Sequence, residues 1–143
     1  GVVKSIPTNK IVFNYRSIEL PKDLIFLSAT FKGKAKNSEE ISNYMKELNI
    51  IKNAAQPTKI KTSGSTFKNP INQTDKKVWE LIRSSVLNEV SYGDAAISEK
   101  HANFFVNKKN AKSGDMKSLI NFVKKKVKDK TGVKLELEIV MVE

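Results

Sequence analysis

Gly64-Ser65-Thr66-Phe67-Lys68-Asn69-Pro70 gathers a glycine, two hydroxyls, an aromatic ring, a cation, an amide and a proline. The apolar periodicity that marks core packing in the flanking chain breaks off here. Glycine permits close backbone approach, and proline forbids an ordinary helix or central strand. Residues 56–73 therefore read as an irregular, shaped loop whose polar side chains need partners. A surface turn has the same composition, so the flanking chain must decide between them.

Upstream, the apolar cluster within residues 10–15 reads as a short strand leading into Arg16-Ser17. Pro21 then turns the chain. Leu24 to Lys32 is rich in strand formers (Ile25, Phe26, Leu27, Thr30, Phe31) and ends at Gly33. It reads as a strand buried on much of both faces. Asn37 is a good N-cap for a first helix, with Glu40 in the box position. Ile41, Tyr44, Met45, Leu48 and Ile51 recur at helical spacing and read as a core stripe. The helix ends near Ala55, before Gln56-Pro57.

Downstream, a second helix spans about Asp75 to Asn88, with Val78, Leu81, Ile82 and Val86 inward and Trp79 off that stripe. Gly93 closes a loop, and the second half of 95–107 is strand-like. A third helix starts near Ser113 or Asp115 and turns Met116, Leu119, Ile120, Val123 and Val127 inward. Gly132 stops it. Lys124, Lys125, Lys126, Lys128 and Lys130 fall toward its C-terminus, where the helix dipole favours cations. The last element, Lys134 to Val142, alternates as a strand: Leu135, Leu137, Ile139 and Met141 on one face, Glu136 and Glu138 on the other. The order β–β–α–loop–α–β–α–β predicts a compact α+β domain with a small, mostly antiparallel sheet and about three helices.

The chain has 143 residues, enough for one real core. It has no cysteine, which excludes disulfides and thiolate metal sites. His101 is the sole histidine, so neither a His-rich metal site nor a Ser-His triad is expected. It reads as a satisfied polar residue at the start of a strand. No apolar run approaches a membrane span, and no secretory signal is visible. The net charge of +11 points to anionic partners. The cations are nearly all Lys, however, with Arg only at 16 and 83, and Arg is the usual reader of bases. A small basic nucleic-acid-binding α+β module is thus the alternative reading, and a non-catalytic interaction domain a third. The nucleic-acid module would need a contiguous Lys stripe with exposed aromatics, whereas the aromatics fall mostly at positions expected to face the core.

Four polar clusters stand out: Tyr15-Arg16-Ser17, Gly64 to Pro70, His101-Ala102-Asn103-Phe104, and Leu135-Glu136-Leu137-Glu138. In this order and spacing they resemble the C-terminal part of the UDP-N-acetylenolpyruvoylglucosamine reductases (UDP-N-acetylmuramate dehydrogenases, MurB). The resemblance runs from about Phe13 to Ile139, and the 64–70 heptad is its most specific part.

The resemblance implies a bacterial cytoplasmic oxidoreductase of peptidoglycan synthesis, using FAD and NADPH. Its substrate would be UDP-N-acetylglucosamine enolpyruvate and its product UDP-N-acetylmuramate. Motif by motif, it implies Ser65 as proton donor, Arg16 on the substrate carboxylate and Glu138 as the third catalytic residue. Tyr15, Lys68, Asn69 and Asn103 fall at substrate-binding or neighbouring positions, and no metal is expected. It also implies that residues 1–16 are the end of an FAD-binding domain and residues 17–143 the substrate-binding domain. The chain opens at Gly1 in what reads as mid-domain sequence, as a truncated chain or proteolytic fragment would. The expectation is that this piece alone binds no FAD and turns over no substrate, its partner being the N-terminal FAD domain rather than nucleic acid or membrane. The spacing of 49 residues from Arg16 to Ser65 suits the subclass without an added tyrosine-bearing insertion.

Overall fold

A computed structural model describes residues 1–142. The chain divides into two compact units, one of Gly1–Asn37 and one beginning at Ser38.

In the first unit a 3-10 turn at Thr8–Lys10 precedes β1 (Val12–Asn14) and β2 (Ser17–Glu19). These pair antiparallel with Phe13 opposite Ile18. Tyr15 and Arg16 form the two-residue connection, and Arg16 takes φ 59°. Tight hairpin connections favour such positive φ, but a side chain there costs about 1–2 kcal/mol. The strand expected over Leu24–Lys32 is not formed. Ile25, Phe26, Leu27 and Phe31 are 68–89% exposed. Strand propensity alone does not hold a strand, which needs an edge to pair with and a face to bury. Within its own unit this segment has neither.

The second unit opens with α1 (Ser38–Ala55), followed by β3 (Lys61–Ser65), α2 (Val78–Ser85), β4 (Ser91–Tyr92), β5 (Ala95–Ile97), β6 (Phe104–Asn107) and α3 (Ser113–Thr131). The helix expected from residue 37 to 55 is there, but its stripe is not core: Ile41, Tyr44, Met45, Leu48 and Ile51 are 44–64% exposed. Helical period identifies an apolar face, and no element of this unit covers it. The four-stranded sheet has the antiparallel order β3-β6-β5-β4. The architecture is the α+β arrangement expected.

Helices α2 and α3 pack on one another, and α3 also packs on β4 and β5. Leu119, Ile120, Val123 and Val127 of α3 meet Val78, Leu81 and Ile82 of α2 in one core with Phe67 and Phe105. The Phe67 and Phe105 rings sit edge-to-face, 5.7 Å apart. Both helices start on an acid that reaches back. Glu80 Oε2 accepts the Lys77 N–H (2.7 Å) and Asp115 Oδ2 accepts the Lys112 N–H (2.8 Å). The α2 helix is shorter than its apolar pattern predicts, because Val86 already takes extended geometry. Gly132 closes α3 in the left-handed conformation at φ 76°.

Asp115 also makes the β4–β5 turn depend on glycine. Gly93 has φ +53°, and a Cβ there would lie 2.7 Å from Asp115 Oδ2. Gly93→Ala must strain the turn or displace the acid that starts α3. Urea unfolding should show a loss of about 2 kcal/mol. Gly114→Ala, with nothing within 4 Å, should be neutral or stabilise by up to about 1 kcal/mol. Equal midpoints for the two variants would contradict this account.

Candidate functional site

The 61–70 stretch is not all loop. Lys61–Ser65 pairs with β6, although Lys-Thr-Ser-Gly-Ser has no apolar alternation to announce a strand. Thr62 lies opposite Val106 and Ser65 opposite Phe104, so β3 carries an extra residue between them. Gly64, at φ +88°, is in the left-handed region that such a bulge uses. Thr62 Oγ1 fills the bulge: it donates to Phe105 O (2.8 Å) and accepts the Gly64 N–H (3.2 Å). A bulge re-aims the residue that follows it, and here that residue is the half-buried Ser65.

Beyond Ser65 the backbone is held on both sides. Toward β6, Thr66 N–H donates to Asn103 O (2.7 Å). Asn103 Oδ1 accepts the Phe67 N–H (3.0 Å), while its Nδ2 donates to Phe67 O (2.9 Å). Toward the C-terminal segment, Lys68 N–H donates to Glu136 O and Glu138 N–H to Thr66 O, both at 2.9 Å. Phe67 and Leu137 form an antiparallel bridge. The expected strand over 134–142 is reduced to this bridge. Its register still sets Glu138 opposite Thr66, next in line to Ser65.

Asn69 and Gln73 secure the turn that follows. Asn69 Oδ1 accepts the N–H of Val78, the first residue of α2 (3.0 Å). Gln73 clamps Lys134 through both its amide atoms, at 2.9 Å each. Five expected site residues thus lie on one connected set of segments: Ser65, Lys68, Asn69, Asn103 and Glu138. Tyr15 and Arg16 belong to the first unit, where the Arg16 guanidinium lies 5.2 Å from the Tyr15 ring centre. Thr62 and Gln73 were not legible as parts of the site, since both act on backbone groups distant in sequence. A Gly two residues after a Thr is the faint trace of the bulge.

His101 joins the same network. Its Nδ1 accepts the Asn103 N–H (3.2 Å), and its ring meets Phe104 edge-on at 4.9 Å. Burial holds its pKa below the ordinary 6.5; a backbone hydrogen bond opposes this and the Arg83 charge adds to it. The folded state therefore takes up this proton less readily than the unfolded chain. The resulting stability is complete above about pH 6.5 and is lost as pH falls through the lower folded value. The urea midpoint should drop between about pH 7.5 and about pH 5, and His101→Gln should remove part of that drop. An unchanged drop in the variant would mean that another group titrates. Thr66 offers a second stability test. It is fully buried, and its Oγ1 has no hydrogen-bond partner among the described residues. Thr66→Val should leave thermal stability equal or raise it by about 1 kcal/mol; a large loss would imply an unseen partner.

Residues 56–142 match the family profile described as UDP-N-acetylenolpyruvoylglucosamine reductase, C-terminal domain. The UDP-N-acetylenolpyruvoylglucosamine reductase of Pelagibacter ubique is 63% identical over 139 residues, covering 97% of this chain and 46% of that protein. The protein of the same name from Rickettsia bellii is 43% identical over 97% of this chain and 45% of its own length. The crystal structure of the UDP-N-acetylenolpyruvylglucosamine reductase (MurB) from Thermus caldophilus matches with a TM-score of 0.71 and 33% identity, over 91% of this chain and 45% of that one. The chain thus spans about half the length of the relatives it matches. It belongs to the UDP-N-acetylenolpyruvoylglucosamine reductase family, of which it carries the C-terminal domain.

Proposed function

We propose that this chain is the substrate-side part of a reductase that converts UDP-N-acetylglucosamine enolpyruvate to UDP-N-acetylmuramate, a cytoplasmic step of peptidoglycan synthesis. The observation that supports the reading is the pairing of residues 66–68 with 136–138, which runs the segments carrying Ser65 and Glu138 side by side.

Reduced FAD, regenerated by NADPH, would supply a hydride to C3 of the enolpyruvyl group. The residues of this chain fit the substrate side of such a site rather than a dinucleotide cradle. Their donors are a hydroxyl, a guanidinium and a carboxyl, and the six glycines are scattered. No residue here is assigned to hold the flavin. As C3 accepts the hydride, charge builds on C2 and the attached carboxylate. Arg16 offers that carboxylate a planar fork of donors and stabilises the charge. Its left-handed φ of 59° is the kind of local strain that persists at working sites. Ser65 Oγ gives its proton to C2, completing the lactyl ether, and is reprotonated from solvent. Glu138 assists as a neutral acid, because its anion would repel the enolate. Lys68 and Asn69, the latter holding the first turn of α2 through Val78 N–H, would contact the remainder of the UDP-sugar, and Tyr15 is a further candidate for such a contact.

The positive charge then has an anionic partner in the diphosphate and carboxylate, and no observation beyond the charge favours nucleic acid. The exposed apolar residues of 24–31 and of α1 would pack against the flavin-binding part. We place the end of that part at residue 16 and the substrate-binding domain over residues 17–143, with the β1–β2 hairpin running across the junction. No helix among the described residues is long and apolar enough to cross a membrane.

The test is Ser65→Ala in the full-length enzyme. Flavin reduction by NADPH should be within about twofold of wild type, while reoxidation by the enolpyruvyl UDP-sugar slows by at least about 10³-fold. Equal loss in both half-reactions would remove Ser65 from proton donation.

A further inference from the structure

We propose that Asn103 is a positioning residue, which sets the proton-donor loop by clamping the Phe67 peptide groups and makes no contact with substrate. The inference rests on the function proposed above for Ser65. Three observations carry it. Asn103 is 4% exposed, which leaves its amide almost no surface for a ligand. Its Oδ1 and Nδ2 bond Phe67 N–H and Phe67 O, as a strand neighbour's backbone would. Its own N–H and C=O are also in use, donating to His101 Nδ1 (3.2 Å) and accepting from Thr66 N–H (2.7 Å).

The position of this clamp explains why an amide is needed. β3 ends at Ser65, and the bulge at Gly64 has already bent it. Beyond Phe104 the chain turns away, with Phe104 N–H bonded to His101 O. No β6 backbone group is in register to receive Phe67, and the Asn103 side chain replaces it. Only a side chain with one donor and one acceptor in this geometry can bond both groups of one residue. Without it, two buried peptide groups of Phe67 lose their partners, two residues from Ser65. A displacement of about 1 Å at a reacting group is enough to cost roughly a hundredfold in rate.

The experiment compares Asn103→Leu and Asn103→Asp in the full-length enzyme, each alone and combined with Ser65→Ala. Asn103→Leu should slow reoxidation by the enolpyruvyl UDP-sugar about a hundredfold. The Kd of the UDP-sugar should change less than about threefold, and flavin reduction by NADPH should be unaltered. In the Ser65→Ala background the added loss should nearly vanish, because both changes act on one step. Asn103→Asp keeps the side chain's shape and is the safer variant to fold. As a carboxylate it opposes Phe67 O, but once protonated it can again donate there and accept from Phe67 N–H. Its rate relative to wild type should therefore rise as pH is lowered from about 8 to about 6, since burial raises the pKa of such a carboxyl. A purely structural role would give the same recovery in flavin reduction, which should instead stay at the wild-type rate over this pH range. Three outcomes overturn the proposal: wild-type reoxidation in both variants, a matching loss in both half-reactions, or a raised Kd with unchanged rates. If Ser65→Ala reoxidises normally while Asn103→Asp still shows its pH-dependent recovery, the proton-donor reading fails and the clamp stands. Slow Ser65→Ala with unaffected Asn103 variants would have the reverse meaning.

Discussion

Everything near the site depends on one constraint: residues 66–68 must be bonded from both sides at once. The Asn103 carbonyl and side chain hold one edge, and the 136–138 backbone holds the other. Each of these bonds nets only about 1 kcal/mol, but a buried peptide group left without a partner costs about 1–3 kcal/mol. Thr66 and Phe67 are essentially inaccessible to water, so a partial set of bonds is worse than the complete set. The segment is therefore ordered almost as a single object. Both flanking motifs are drawn to it, although 35 residues separate Asn103 from Glu138 in the chain.

The packing beneath reinforces this. Phe67 is the point where the bonded segment enters the core, against Phe105 of β6 and the face of α2 and α3. Its neighbours in sequence are polar, Thr66 fully buried and Lys68 half-buried, so one aromatic anchors a run of polar residues. The bulge at Gly64 and the Asn69 cap on α2 bound that run at either end. Rigidity is what the proton donation proposed for Ser65 would require, because a hydroxyl that wanders loses its alignment with the accepting carbon. The same logic accounts for Thr66: its orphaned hydroxyl is a small cost tolerated inside a segment fixed by other bonds.

Sequence and structure agree where side-chain pattern determines the element. The α3 stripe from Met116 to Val127, the stop at Gly132 and the bounds of α1 were all readable, and with them the α+β class. The polar heptad was readable as chemistry because few folds need those residue types together. Three features were not readable. β3 is held by backbone pairing and by Thr62 Oγ1, so it carries no apolar alternation. Leu24–Lys32 has the composition of a strand, yet a strand needs a partner edge, which propensity cannot supply. Asn103 shows only that an amide is present. That both its atoms are spent on a peptide 36 residues away is a property of the fold.

The misreadings at residues 24–31 and along α1 share a cause. Apolar pattern records what a segment is built to bury, not whether the covering surface lies in the same compact unit. After residue 56 the large apolar residues are mostly inside, whereas those of α1 and of 24–31 face outward. The division coincides with the start of the family domain at residue 56. The later part packs α2, α3 and the sheet around one core, and the bonds that shape the Ser65 loop lie within it. The earlier part carries Arg16 on a strained turn and is written for a larger interior than its own unit provides. The Ser65 segment and the Arg16 turn thus draw their order from different sources. The first comes from local hydrogen bonds, and the second, on the function proposed, would come from packing on the flavin-binding part.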